Sequence, residues 1–149
     1  MDLNKIIDAM EAKATEIFNN TVQYQEQGKR GMLLAQVKSA KHPERWETVM
    51  QAFGAVATPP EVQDGKQVFS GISFDGVVNG KAAYTRRTGK NSGAPENEVR
   101  MLESYWEGAV ISKDGNCICA FSGVAGTDDV LIAEAGIAVY EGLVSGKIG

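Results

Sequence analysis

"GAVISKDGNCICAFSGVAGTDDVLIAEAG", residues 108–136, sets a strand period beside a helix period, and their junction decides the fold. Taken with the residues just before it, the first part reads as two strands, "YWEGAVIS" and "NCICAFS". They are joined through Lys113-Asp114-Gly115, where glycine supplies the positive φ of a tight turn. After the small residues of "SGVAG" the pattern becomes that of a helix from about Thr127 to Val144. Thr127 is placed to cap it, with Asp128 and Asp129 in the first turn, where each carboxylate stabilises the helix dipole by about 0.3–1 kcal/mol. Its polar residues form one narrow row, Thr127, Glu134, Glu141 and Ser145, while Val130, Leu131, Ile132, Ile137, Val139 and Leu143 fill the other directions. A helix that is apolar nearly all round is covered on more than one side. The expectation is a sheet on one side and a second helix or another subunit on the other, and hence a homo-oligomer.

Working outward, "VVNGKAAYTRR" carries Asn79-Gly80, a hairpin signal, after an alternating pattern through Val68, Ile72 and Phe74. Between the two predicted hairpins, "RRTGKNSGAPENEVRMLES" reads as a Gly-rich basic loop that enters a short helix, with Pro95 early and Glu96 and Glu98 in its first turn. Further upstream, "HPERWETVMQAFGAV" places Trp46, Val49, Met50, Phe53 and then Ala57 at helical intervals behind Pro43, so a helix is predicted, ended by Pro59 and Pro60. "MLLAQVKSA" fits a strand or a short helix equally well. Residues 3–18 put Leu3, Ile6, Ile7, Met10, Ala14, Ile17 and Phe18 on one face of an amphipathic helix. The sum is an α+β chain, an antiparallel sheet flanked by helices.

A length of 149 residues suits one domain with its own core, and 43% apolar with 23% charged residues is an ordinary globular balance, which argues against disorder. The net charge of −4 argues against a general attraction to nucleic acid or to an anionic membrane and leaves room only for a local basic patch. No apolar run reaches the roughly 18 residues that span a bilayer, and "MDLNKIIDAMEAK" begins a helix, not an export signal, so a cytoplasmic protein is expected. Cys117 and Cys119 lie two apart in a predicted strand, on one face and poorly placed to bond to each other, and read as reduced core thiols. With a single histidine, His42, beside them, they do not make a four-ligand metal site.

Residues 108–137 resemble the C-terminal part of the GlcG/HbpS-like family (DUF336). There a hairpin ends in a Ser-Gly loop followed by Gly-Thr, an acidic residue and an Ile-Ala-Glu-Ala helix. The matching residues are Ser122, Gly123, Gly126, Thr127, Asp128, Asp129, Ile132, Ala133, Glu134 and Ala135. The resemblance implies a profilin-like α/β sandwich, assembly into oligomers and, for some members, binding of haem or of a corrinoid-related partner domain. Two departures stand out: the Val-Asp-Ala-Gly-Gly stretch that follows the family's first helix is absent, and His42 lies outside the matched segment.

Two segments are candidates for ligand binding. The helix start offers backbone N–H groups that attract anions, with Ser122, Gly123 and Thr127 around them, although Asp128 and Asp129 compete for the same groups. The basic loop offers Arg86, Arg87 and Lys90, whose donors could grip a carboxylate or phosphate, or simply keep a surface turn solvated. The expected function is therefore small-ligand binding, with an anion or a tetrapyrrole such as haem as the ligand classes. Two alternatives stand beside it. One is acid–base or lyase-type chemistry on a small carboxylate, with Arg86 or Arg87 orienting it and Asp128 or Glu98 moving the proton. The other is a structural oligomer subunit without chemistry.

Overall fold

The computed structural model describes residues 1–147. In chain order its elements are α1 (Leu3–Asn20), α2 (Val22–Gln27), β1 (Met32–Lys38), β2 (Trp46–Ala52), β3 (Glu61–Gln63), β4 (Lys66–Phe69), α3 (Phe74–Thr88), a 3₁₀ turn (Glu96–Glu98), β5 (Ala109–Ile111), β6 (Cys117–Ser122) and α4 (Gly126–Val144). The main sheet has four strands in the order β2-β1-β6-β5, every pair antiparallel. Strands β3 and β4 form a separate two-stranded ribbon.

Alternation along the central strands builds two cores. Leu33, Ala35, Cys117, Cys119 and Phe121 face one way and pack with Ile6, Ile7, Met10 and Phe18 of α1 and Ile132, Ala133 and Ile137 of α4. Met32, Leu34, Ile118 and Ala120 face the other way and pack with Phe74, Val78 and Ala82 of α3. The result is a helix-flanked sandwich, α1, α4 and the short α2 on one side of the sheet and α3 on the other, as the α+β reading anticipates. It also explains the nearly all-apolar α4, which lies against both the sheet and α1. The second covering partner left open by the sequence is thus a helix of the same chain. Cys117 and Cys119 are free thiols within the core.

Three sequence expectations are corrected. Residues 46–52 form an edge strand, not a helix: Trp46 and Met50 pack toward the α3 side and Val49 toward the α1 side, which is strand alternation, and Thr48 and Val49 suit a strand. Pro43 belongs to the turn before that strand, closed by the Arg45 N–H donating to His42 O at 2.8 Å; its fixed φ serves a turn as well as a helix start. Residues 74–88 form a helix, not a hairpin at Asn79-Gly80. Ser73 caps it by accepting from Gly76 N–H, and Phe74, Val78, Ala82 and Thr85 line its buried face at helical spacing. Gly80 lets a loop pack close across the helix: a Cβ would stand 3.0 Å from Ser104 N and 3.1 Å from Leu102 O, tighter than ordinary contact. Finally, α4 begins at Gly126 with Ala125 as its N-cap, so Thr127 does not cap it. Asp128 and Asp129 do occupy the first turn, but each is drawn to another partner, described below.

Candidate functional site

β6 ends at Ser122, and the chain crosses Gly123, Val124 and Ala125 before α4 starts. This junction forms one wall of a cavity of about 390 Å³, a size suited to a small molecule. α3 contributes Phe74 and Lys81; the loop before β5 contributes Trp106 and Glu107; Arg30 comes from the segment before β1, and Asp129 from α4. Thr58 and Ile72, joined by Ile72 N–H donating to Thr58 Oγ1 at 2.6 Å, complete the wall at the root of the β3–β4 ribbon.

Lys81 and Asp129 meet at 2.9 Å with side chains only 1% and 4% exposed. Lys81 Nζ also donates to Phe121 O at 2.9 Å, and Asp129 Oδ1 accepts from Val124 N–H at 3.2 Å. Burial lowers the Lys81 pKa, against the pull of Asp129. Burial likewise raises that of Asp129 to about 7, against the pull of Lys81. Burial thus works against both charges of the pair, and each partner offsets part of that cost for the other. Gly108, at φ +132, makes room for it: a Cβ there would stand 2.6 Å from Lys81 Nζ and 2.9 Å from Asp129 Cβ.

Asp128 is taken by Tyr24, whose hydroxyl donates to Oδ2 at 2.5 Å and in turn accepts from Ala125 N–H at 3.2 Å. Burial and that hydrogen bond raise the Tyr24 pKa. With both carboxylates so engaged, the Gly126 and Thr127 N–H groups at the start of α4 have no hydrogen-bond partner among the described residues. Ser122 is buried on the cavity wall, and its hydroxyl also has no hydrogen-bond partner among the described residues. Arg30 Nε donates to Gly123 O at 3.1 Å and its guanidinium lies over the Phe74 ring, 5.6 Å from the centroid. Its terminal nitrogens make no hydrogen bond among the described residues.

Of the residues expected to bind, Ser122 and Gly123 line this cavity; Thr127 is exposed on the second residue of α4, and the basic side chains lie elsewhere. Arg86 and Arg87 occupy the last turn of α3. Arg86 Nη1 donates to Gln36 Oε1 at 2.8 Å. Arg87 makes a two-pronged pair with Glu103 at 2.7 and 2.8 Å and also donates to Glu98 O at 3.0 Å. That pairing holds the Glu103 carboxyl well down, at about 2. Lys90 and Glu98 are exposed. Sequence reasoning passed over Arg30, Lys81 and Glu107. A signal for Lys81 was available: it falls among Phe74, Val78, Ala82 and Thr85 on the buried stripe of α3, a place for a lysine only with a partner.

The cavity does not fit haem ligation. None of its lining residues is His, Cys, Met or Tyr, the side chains that hold haem iron, and His42 sits in the β1–β2 turn beside Glu44. Among the described residues no His/Cys/Asp/Glu cluster could hold a metal ion, and no helix is long and apolar enough to cross a membrane. Comparison of the chain with family models, with curated proteins and with solved structures gives no match.

Proposed function

We propose that this chain is a binding protein for a small anionic molecule, most simply a carboxylate, taken up in the cavity at the β6–α4 junction. One observation carries the reading: Arg30 is fixed on the cavity wall by a single donor and a ring contact, which leaves its other donors available. The unpartnered Ser122 hydroxyl and the free N–H groups of α4 add donors of the kind that anions use. The ligand's carboxylate lies against Arg30 in this reading, with Phe74 and Trp106 offering apolar contact. Membership of the GlcG/HbpS-like family is part of the proposal, supported by the hairpin-to-helix junction and the sandwich around it. So are homo-oligomeric assembly, supported by the exposed Leu131 and Val144 on α4, and residence in the cytoplasm.

Thermal-shift measurements with millimolar acetate, succinate, glutarate and inorganic phosphate test the binding site. The wild type is expected to gain stability with at least one of them, as binding to the native state requires. Arg30→Gln should abolish that response, while a chain with both Arg86→Ala and Arg87→Ala keeps it. A response that survives Arg30→Gln, or no response to any molecule carrying a carboxylate or phosphate group, amino acids included, would remove the proposal.

A further inference from the structure

Four charged side chains line the cavity; two of them meet in a direct ion pair, and Glu107 also lies close enough to Lys81 to favour its charge. Lys81 and Asp129 form the buried pair. Arg30 and Glu107 share the same wall, yet neither has an ion-pair partner among the described residues. Glu107 also makes no side-chain hydrogen bond among them. Its position is marked by Gly126, where a Cβ would stand 2.8 Å from Glu107 Oε1 and 2.7 Å from its Cγ. The Glu107 carboxylate therefore lies against the first turn of α4, beside the free N–H groups that would receive an anion.

A plain carboxylate bound there meets a like charge at close range, which works against it. A ligand with an ammonium one carbon from its carboxylate meets no such conflict. Its carboxylate can use Arg30, the Ser122 hydroxyl and the α4 N–H groups. Its ammonium can use Glu107, with the Trp106 ring on the same wall as a cation–π surface. We propose that the cavity selects α-amino acids, or molecules with the same adjacent carboxylate and ammonium, over simple carboxylates. This rests on the anion-binding reading above and specifies the ligand class for that site.

Calorimetric titration of the full chain provides the test, using alanine, leucine and glutamate against propionate, 4-methylpentanoate and glutarate. At least one amino acid should bind about tenfold or more tightly than its plain counterpart, the scale of one charge-assisted hydrogen bond. Glu107→Gln, a change at an exposed side chain, should weaken that amino acid about tenfold and strengthen the plain carboxylate. Arg30→Gln should weaken both. Equal wild-type affinity for the two members of every pair, or a preference untouched by Glu107→Gln, overturns the zwitterion proposal and leaves the anion site standing. Failure of every carboxylate and amino acid to bind overturns both.

Discussion

Lys81 is held where burial opposes its charge, and Asp129 and the Phe121 carbonyl, with the more distant Glu107, make that position tolerable. Breaking such a pair leaves one uncompensated buried charge, which is why neither residue reads as replaceable alone. The raised Asp129 pKa has a definite pH signature. Between the ordinary carboxyl value of 3.8 and about 7 the native state binds a proton that the unfolded chain has released. The contribution of this group to stability is therefore fully present below 3.8 and declines as pH rises through about 7. Lys81, with its pKa lowered, acts in the opposite sense but in the alkaline direction, where an unfolded lysine still holds its proton. Urea denaturation of wild type and Asp129→Asn across pH 4–7.5 should show the wild type's stability relative to the variant falling as pH rises. A difference that grows across that range would mean that the Asp129 carboxyl is not raised.

At the scale of elements, the β3–β4 ribbon is the outlier. Every residue of both strands is exposed, Val62, Val68 and Phe69 included, and the strands pair only with each other. Its root is fixed independently by Thr58 N–H donating to Ile72 O at 2.9 Å and by the Ala57–Ser73 bridge. Replacing residues 61–69 with a short Gly-Ser turn is expected to change the melting temperature by only a few degrees, since little burial is lost. A loss of cooperative unfolding would show that the ribbon supports the body. The elements also show what sequence pattern conveys. α1, the β5–β6 hairpin and α4 were legible because each carries a long period or an unambiguous turn. α3 was not, because Asn79-Gly80 is a strong local hairpin signal that tertiary packing overrides: Gly80 serves a loop crossing, and Asn79 donates back to Asp75 O at 2.9 Å. β2 was misread because Trp46, Val49, Met50 and Phe53 fit a helical spacing that the edge of the sheet ignores. The site followed the same logic. Ser122 and Gly123 lie within the legible junction, whereas Arg30, Lys81 and Glu107 come from three separate segments that converge only in the folded chain.

For the whole molecule, the layers account for nearly all the apolar surface of α4. Ile137 packs in the core cluster shared by α1, α4 and the sheet, so it cannot report on assembly. What faces outward is Leu131 at 45% and Val144 at 52% exposure. If these residues form the contact between copies, a Leu131→Lys, Val144→Lys chain should sediment as a monomer while the wild type sediments as an oligomer, with unchanged circular dichroism. A wild type that is monomeric at micromolar concentration would dismiss the oligomer.

The order of strands in the main sheet bears on how the chain is made. β1 has β2, its neighbour in sequence, on one edge, whereas its other edge is completed by β6, with Leu33 pairing to Phe121 across most of the sequence. Until β6 has been made, a strand buried on both faces in the folded chain presents an open edge and uncovered apolar residues. Vectorial synthesis thus makes closure of this sheet wait for β6, through contacts far apart in sequence. Chaperone capture during translation should concentrate on nascent chains that contain β1 and still lack β6.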